Sequence, residues 1–133
     1  MPKLSCVLLV DDDSTTNYLN KILLTRLGVA EQLLVAGNGR EALATLTQLC
    51  GLPVPECPAL VLLDLNMPIM TGLEFLQAYQ DLPLQQAPVI VVLTSSANPR
   101  ELDRVQQLPI AGVLTKPLTE GKVRALLQTH FPA

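Results

Sequence analysis

Short runs of aliphatic and β-branched residues recur along the chain, each ending in polar residues and each followed by a stretch of helical period. The strand candidates are Cys6–Val10, Leu33–Ala36, Ala59–Leu63, Val89–Leu93 and Ile110–Leu114. Between and after them, apolar positions repeat at helical spacing: Leu19, Ile22, Leu23 and Leu27; Ala42, Leu43, Leu46 and Cys50; Leu73, Leu76 and Tyr79; Val123, Leu126, Leu127 and His130. A further helix is expected after Asn98, although only Leu102 and Val105 mark its apolar side. Ser14 and Asn98 suit helix starts, Pro99 a first helical position, and Gly28 the end of the first helix. Five such alternations predict parallel pairing through right-handed crossovers, hence a doubly wound five-stranded α/β sheet buried on both faces. The first, third and fourth strands are nearly all apolar and belong in the centre, whereas the second is shorter and suits an edge.

Composition narrows the function classes. The chain has 133 residues, which is one domain's worth, and is read as a single unit over residues 1–133. Apolar residues make up 49% and charged residues 16%, enough apolar surface to fold. A net charge of −3 leaves no basic surplus for a phosphate backbone, and two Phe, two Tyr and no Trp make a poor base-stacking platform; no nucleic acid partner is expected. No apolar run approaches the roughly 20 residues of a membrane span, and the N-terminus lacks a signal-like apolar region, so a cytoplasmic protein without a membrane partner is expected. Cys6, Cys50 and Cys57 form no CxxC pair, and His130 is the only histidine, so the usual zinc ligands are missing. Reduced thiols are the expectation, with a Cys50–Cys57 bridge the exception.

In an open α/β sheet, ligands bind beyond the carboxyl ends of the strands, where the winding reverses. Asp11, Asp12 and Asp13 follow the first strand, Asp64 the third, Thr94 and Ser95 the fourth, and Thr115 and Lys116 the fifth. If the first and third strands are neighbours, Asp11 or Asp12 faces Asp64 across a gap of about 4.8 Å. Crowded carboxylates repel unless a cation joins them, and an all-oxygen site with open positions suits Mg2+. Thr94 adds a hydroxyl donor and Lys116 a long-stemmed ammonium, the groups a phosphoryl oxygen requires. An Asp nucleophile in such a site would form an aspartyl phosphate.

These stretches, Val7-Leu8-Leu9-Val10-Asp11-Asp12-Asp13, Val61-Leu62-Leu63-Asp64-Leu65-Asn66-Met67-Pro68 with Thr71-Gly72, Val91-Val92-Leu93-Thr94-Ser95 and Leu114-Thr115-Lys116-Pro117-Leu118, together resemble the receiver domain of two-component response regulators. The resemblance implies the flavodoxin-like (βα)5 fold with strand order 2-1-3-4-5, an order that the alternation of strands and helices does not itself dictate. It implies Asp64 as phosphoacceptor, with Thr94 and Lys116 acting on the phosphoryl group. Asp12, Asp64 and the main-chain carbonyl of Asn66 would ligate Mg2+, with Asp11 acting through a water, and the Lys116–Pro117 bond would be cis. The phosphoryl donor would be a sensor histidine kinase or a phosphotransfer protein, the output an unidentified downstream protein, and the chain no enzyme beyond its own phosphorylation and dephosphorylation. Val113 stands where receivers often carry an aromatic switch residue.

Other readings compete. A haloacid-dehalogenase-like phosphatase also uses an Asp after a strand, but it needs a second Asp two residues later, where this chain has Asn66. A pseudo-receiver would keep the fold and bind without phosphorylation, yet its usual sign is loss of the acidic pocket or the lysine. Each motif alone has a plain alternative: a solvated turn at Asp11–Asp13, with Asp13 turned to solvent, a turn at Asn66-Met67-Pro68, a surface lysine at 116.

Overall fold

Side chains alternate between the two faces of a strand, so a sheet buried on both sides needs consecutive apolar residues. The three inner strands supply them. In the computed structural model, which describes residues 3–51, 57–65, 67, 69–82, 84, 86–95 and 99–132 (at 101 the backbone alone), the strands are β1 (Leu4–Val10), β2 (Ala30–Ala36), β3 (Leu60–Asp64), β4 (Val89–Thr94) and β5 (Gly112–Thr115). They alternate with α1 (Ser14–Leu27), α2 (Gly39–Cys50), α3 (Gly72–Tyr79), α4 (Pro99–Gln106) and α5 (Glu120–His130). All pairs are parallel, in the order β2-β1-β3-β4-β5. Among the described residues no helix is long and apolar enough to cross a membrane.

Two cores follow from the alternation. Leu8, Val10, Val61, Leu63, Ile90 and Val92 face α2, α3 and α4, where Leu46, Phe75, Leu76 and Val105 complete the packing. Val7, Leu9, Leu60, Leu62, Val91 and Leu93 face α1 and α5, against Leu24, Val123, Leu126 and Leu127. Full burial of a side chain such as Phe75 contributes roughly 1.5–3 kcal/mol relative to exposure, and Phe75 is completely covered.

The structure departs from the pattern in four places. β2 is seven residues long, as long as β1, and it is β5, with four, that is the short edge. Asp13 rather than Ser14 caps α1: its carboxylate accepts the Thr15 N–H and the Thr16 hydroxyl, 2.9 Å each, and leaves Ser14 as the first helical residue. Only half of the apolar stripe read for α1 packs on the sheet: Leu23 and Leu27 are partly covered against the core. Leu19 and Ile22 are exposed, as is Tyr18, while Asn17, Asn20 and Leu24 are buried. Finally, Cys50 and Cys57 are joined in a disulfide with Cα atoms 4.8 Å apart, because the end of α2 and the approach to β3 meet inside one core, where both cysteines are buried. Cys6 is a free, buried thiol. The Gly28 reading holds, with φ at +64° and its N–H bonded to the Thr25 carbonyl, and Pro99 opens α4; Asn98 lies outside the described residues.

The disulfide joins residues seven apart in sequence, which in the chain-entropy account stabilises the fold by roughly 2–3 kcal/mol. Cys50→Ser/Cys57→Ser should therefore unfold at clearly lower urea than the parent. Alkylation of the unfolded but unreduced parent should mark Cys6 alone, and labelling of all three cysteines would show that the bond does not form.

Candidate functional site

Sheet register places the polar residues. Val10 pairs with Leu63, so Asp11 and Asp64 emerge at the same level of neighbouring strands. Asp64 pairs with Leu93, and Thr94 with Thr115, which puts Thr94 and then Lys116 along the same edge. The chain leaves β1 for β2 on one side and reaches β3 on the other, so the β1/β3 boundary is where the winding reverses.

At that boundary one carboxylate oxygen from each of Asp11, Asp12 and Asp64 falls within 4.8 Å of the others. Asp11 and Asp64 are both 4% exposed, whereas Asp12 is open to solvent. Lys116 answers the buried pair: its Nζ lies 2.8 Å from Asp11 Oδ2 and 3.1 Å from Asp64 Oδ1. The remaining Asp11 oxygen accepts the Asp13 N–H at 2.9 Å. Burial taken alone would lower the Lys116 pKa. Hydrogen bonds and charge attraction from Asp11 and Asp64 together outweigh it, and the net displacement is upward. Asp13, by contrast, stays at the rim, its carboxyl held below the usual range by the Thr16 hydroxyl and the Thr15 N–H.

Supporting contacts hold this geometry. The Lys116 N–H donates to the Thr94 carbonyl at 2.8 Å, and the Lys116–Pro117 peptide is cis. Lys122, in the first turn of α5, donates from Nζ to the Thr115 carbonyl at 2.6 Å and to the Pro117 carbonyl at 3.1 Å, so the loop carrying Lys116 is gripped on both sides. Thr71 and Glu74 form a reciprocal capping box at the start of α3. Directly after the cap, Gly72 bonds from N–H to the Leu65 carbonyl at 2.9 Å, and a Cβ there would stand 2.6 Å from the Asp64 carbonyl oxygen.

Of the residues singled out in the sequence, Asp11, Asp12, Asp64 and Lys116 are brought together. Thr94 is buried beside them at the end of β4. Asn66, expected to offer its carbonyl, lies outside the described residues. Asn17 and Lys122 escape a reading of the sequence, and Gly72 enters it only through the matching Thr71-Gly72 pair. Thr71-Gly72-Leu73-Glu74 carries the capping-box spacing that marks the start of α3, but nothing local signals the grip of Lys122 on residues five and seven positions earlier. The oxygen-only donor set, with a fixed cation already spanning two of its members, fits a divalent ion that takes carboxylates and water.

The family model described as the response regulator receiver domain matches residues 7–128. A probable chemotaxis protein CheY of Rhizobium etli is 34% identical over 96% of this chain and 92% of its own. The structure of a two-component response regulator from Cytophaga hutchinsonii superposes with a TM-score of 0.86 over 99% of this chain and all of that one, at 24% identity, a likeness of fold. Vibrio cholerae chemotaxis protein CheY4 gives 0.77 over 96% and 99%, at 27% identity.

The charge balance at Lys116 and the close approach at Gly72 are each open to measurement. A pKa raised in the folded state stabilises fully below the unfolded lysine value of about 10.4 and is lost as pH climbs through the folded value. Urea unfolding should thus show wild type and Lys116→Met separated by a constant gap from neutral pH to about 10, closing only above that value. A gap that closes nearer neutrality would show that the ion cluster is not what Lys116 supplies. Gly72→Ala must push the Asp64–Leu65 backbone aside, at a cost of about 1–3 kcal/mol, measurable as a lowered urea midpoint; an unchanged midpoint would mean that the loop yields freely.

Proposed function

Because the chain belongs to the response regulator receiver family and has its CheY-like fold, we propose that it is the phosphoacceptor of a two-component phosphorelay, taking a phosphoryl group on Asp64. The observation that carries this reading is the Lys116 ammonium lying between Asp11 and Asp64, with Asp12 in reach. A strand-end carboxylate that is buried and charge-compensated is a positioned nucleophile.

In the transfer, an Asp64 oxygen attacks the phosphorus of a phosphohistidine on a sensor kinase or phosphotransfer protein. An O–P bond forms, the P–N bond breaks, and the imidazole keeps the electron pair; a ring already protonated at its other nitrogen leaves neutral, and an unprotonated ring takes a proton from solvent. Asp11, Asp12 and Asp64, with the Asn66 carbonyl, would hold Mg2+, which supplies neutralisation of phosphoryl charge. Lys116 exchanges its bond to Asp64 for one to a phosphoryl oxygen, and the Thr94 hydroxyl donates to another. The added charge of about −1.5 to −2 draws Thr94 toward it. The face made of α4, β5 and α5 then shifts population toward the arrangement that an unidentified downstream protein binds. With Val113 half-buried in β5, that shift proceeds through backbone and packing changes rather than burial of a ring. On this reading the protein works in the cytoplasm as a single receiver unit over residues 1–133, without nucleic acid or membrane, and is no enzyme beyond its own phosphorylation and dephosphorylation.

Acetyl phosphate with Mg2+ should add one phosphoryl group, read by intact mass, to the wild type and none to Asp64→Ala. Adduct on Asp64→Ala at the wild-type rate and extent would overturn the assignment. Asp12→Ala should lose Mg2+ affinity, and unchanged affinity by calorimetry would remove Asp12 from the ligand set.

A further inference from the structure

The covered side of helix α1 is apolar at Leu24 but carries two asparagines in its first turns. Asn17 and Asn20, three apart and therefore on one face, are 5% and 9% exposed, while Tyr18, Leu19 and Ile22 stand in solvent. Leucines at the two buried positions would pack without loss of hydration, so the asparagines call for a reason other than packing.

Asn17 brackets Asp12. Its side-chain amide donates to the main-chain carbonyl of Asp11 at 2.8 Å, and its backbone N–H donates to the carbonyl of Asp13 at 3.1 Å. The Asp11 carbonyl can only accept, which sets the amide orientation: nitrogen toward Asp11, oxygen away. That oxygen, Oδ1, is buried and without a hydrogen-bond partner. It belongs to a residue lining a cavity of about 300 Å3 whose wall also includes Asp11, Asp12, Lys21 and Gly37. Asp11 is fixed further by its own N–H to the Ala36 carbonyl, whereas the Asp12 carboxylate makes no hydrogen bond with the described residues. The direction of Asp12 therefore depends on the turn that Asn17 grips.

We infer that Asn17 is a positioning residue of the cation site, its amide holding the Asp11–Asp12–Asp13 turn so that Asp12 points at the ion. This rests on the reading of Asp11, Asp12 and Asp64 as a Mg2+ site. The role is one of direction rather than charge. Partners of this kind commonly cost 10- to 100-fold in metal affinity when removed.

Titration of the apo protein with MgCl2, followed by two-dimensional amide NMR, reads the dissociation constant and the fold together. Asn17→Leu should keep the dispersed spectrum and raise the constant by about tenfold. Asn17→Asp, nearly the same shape, should also weaken binding although it adds a negative charge, because it replaces the donor to Asp11 with an acceptor. Asn20→Leu, which removes the other buried asparagine, should leave affinity unchanged. Tighter binding by Asn17→Asp, affinity within about twofold of wild type in either Asn17 variant, or equal weakening by Asn20→Leu overturns the inference while leaving the site reading intact. Should Asn17→Leu fail to fold, the comparison is decided by Asn17→Asp. Wild-type protein that takes up no Mg2+ overturns the site reading and the inference with it.

Discussion

Three carboxylates whose oxygens approach within 4.8 Å of one another repel, and two of them are buried where water cannot screen the repulsion. The molecule answers with one ammonium carried across from the far edge strand. Much of the surrounding architecture serves that reach. β4 lies between β3 and β5 and sets the lateral distance; the Thr94 carbonyl fixes the Lys116 backbone; Lys122 ties down the loop on the other side. On the opposite flank, Gly72 lets α3 start against the Asp64 carbonyl, and α1 holds the Asp11 carbonyl. A doubly wound sheet suits such a site because parallel strands deliver all their carboxyl ends to one edge.

Most of the fold is legible in the sequence. β1, β3 and β4 are buried on both faces, and such strands read as unbroken apolar runs with no ambiguity of period. Four of the chemical residues are legible for the same reason, since each directly ends or follows a strand. The stripe on α1 misleads because periodicity records which residues are apolar, not which way the helix turns; the local claim of Asn17 on the Asp11 carbonyl, with Leu24 and the partly covered Leu23 and Leu27 supplying the packing, outweighs the burial of Leu19 and Ile22. The full length of β2 is hidden because Ala30, Glu31 and Gln32 carry no β signal of their own; pairing with β1 recruits them. Discounting the disulfide rests on compartment, a premise about surroundings that spacing in the chain does not reveal, whereas the meeting of α2 and β3 is a property of the packed chain.

Polar groups placed inward on α1 illustrate how local stability and function compete. A leucine in place of Asn17 would suit the core and remove an unpaired acceptor, and the outward Tyr18, Leu19 and Ile22 leave apolar surface in water. The fold carries both costs on the helix nearest the acidic residues, while α2, α3 and α5 bury apolar faces in the ordinary way. Departures from economical packing therefore concentrate beside the site.

β5 has a consequence for how the molecule opens. It is the shortest strand, partly covered, and hydrogen-bonded to a neighbour on one side only. Beyond it, Lys116 makes the charged link from this edge back to β1 and β3, skipping β4. Excursions in which the carboxy-terminal strand and helix peel away without the rest unfolding must first break that link. Amide protons of β5 are accordingly guarded by this link as well as by their own ladder, and partial openings become easier whenever Lys116 is drawn elsewhere.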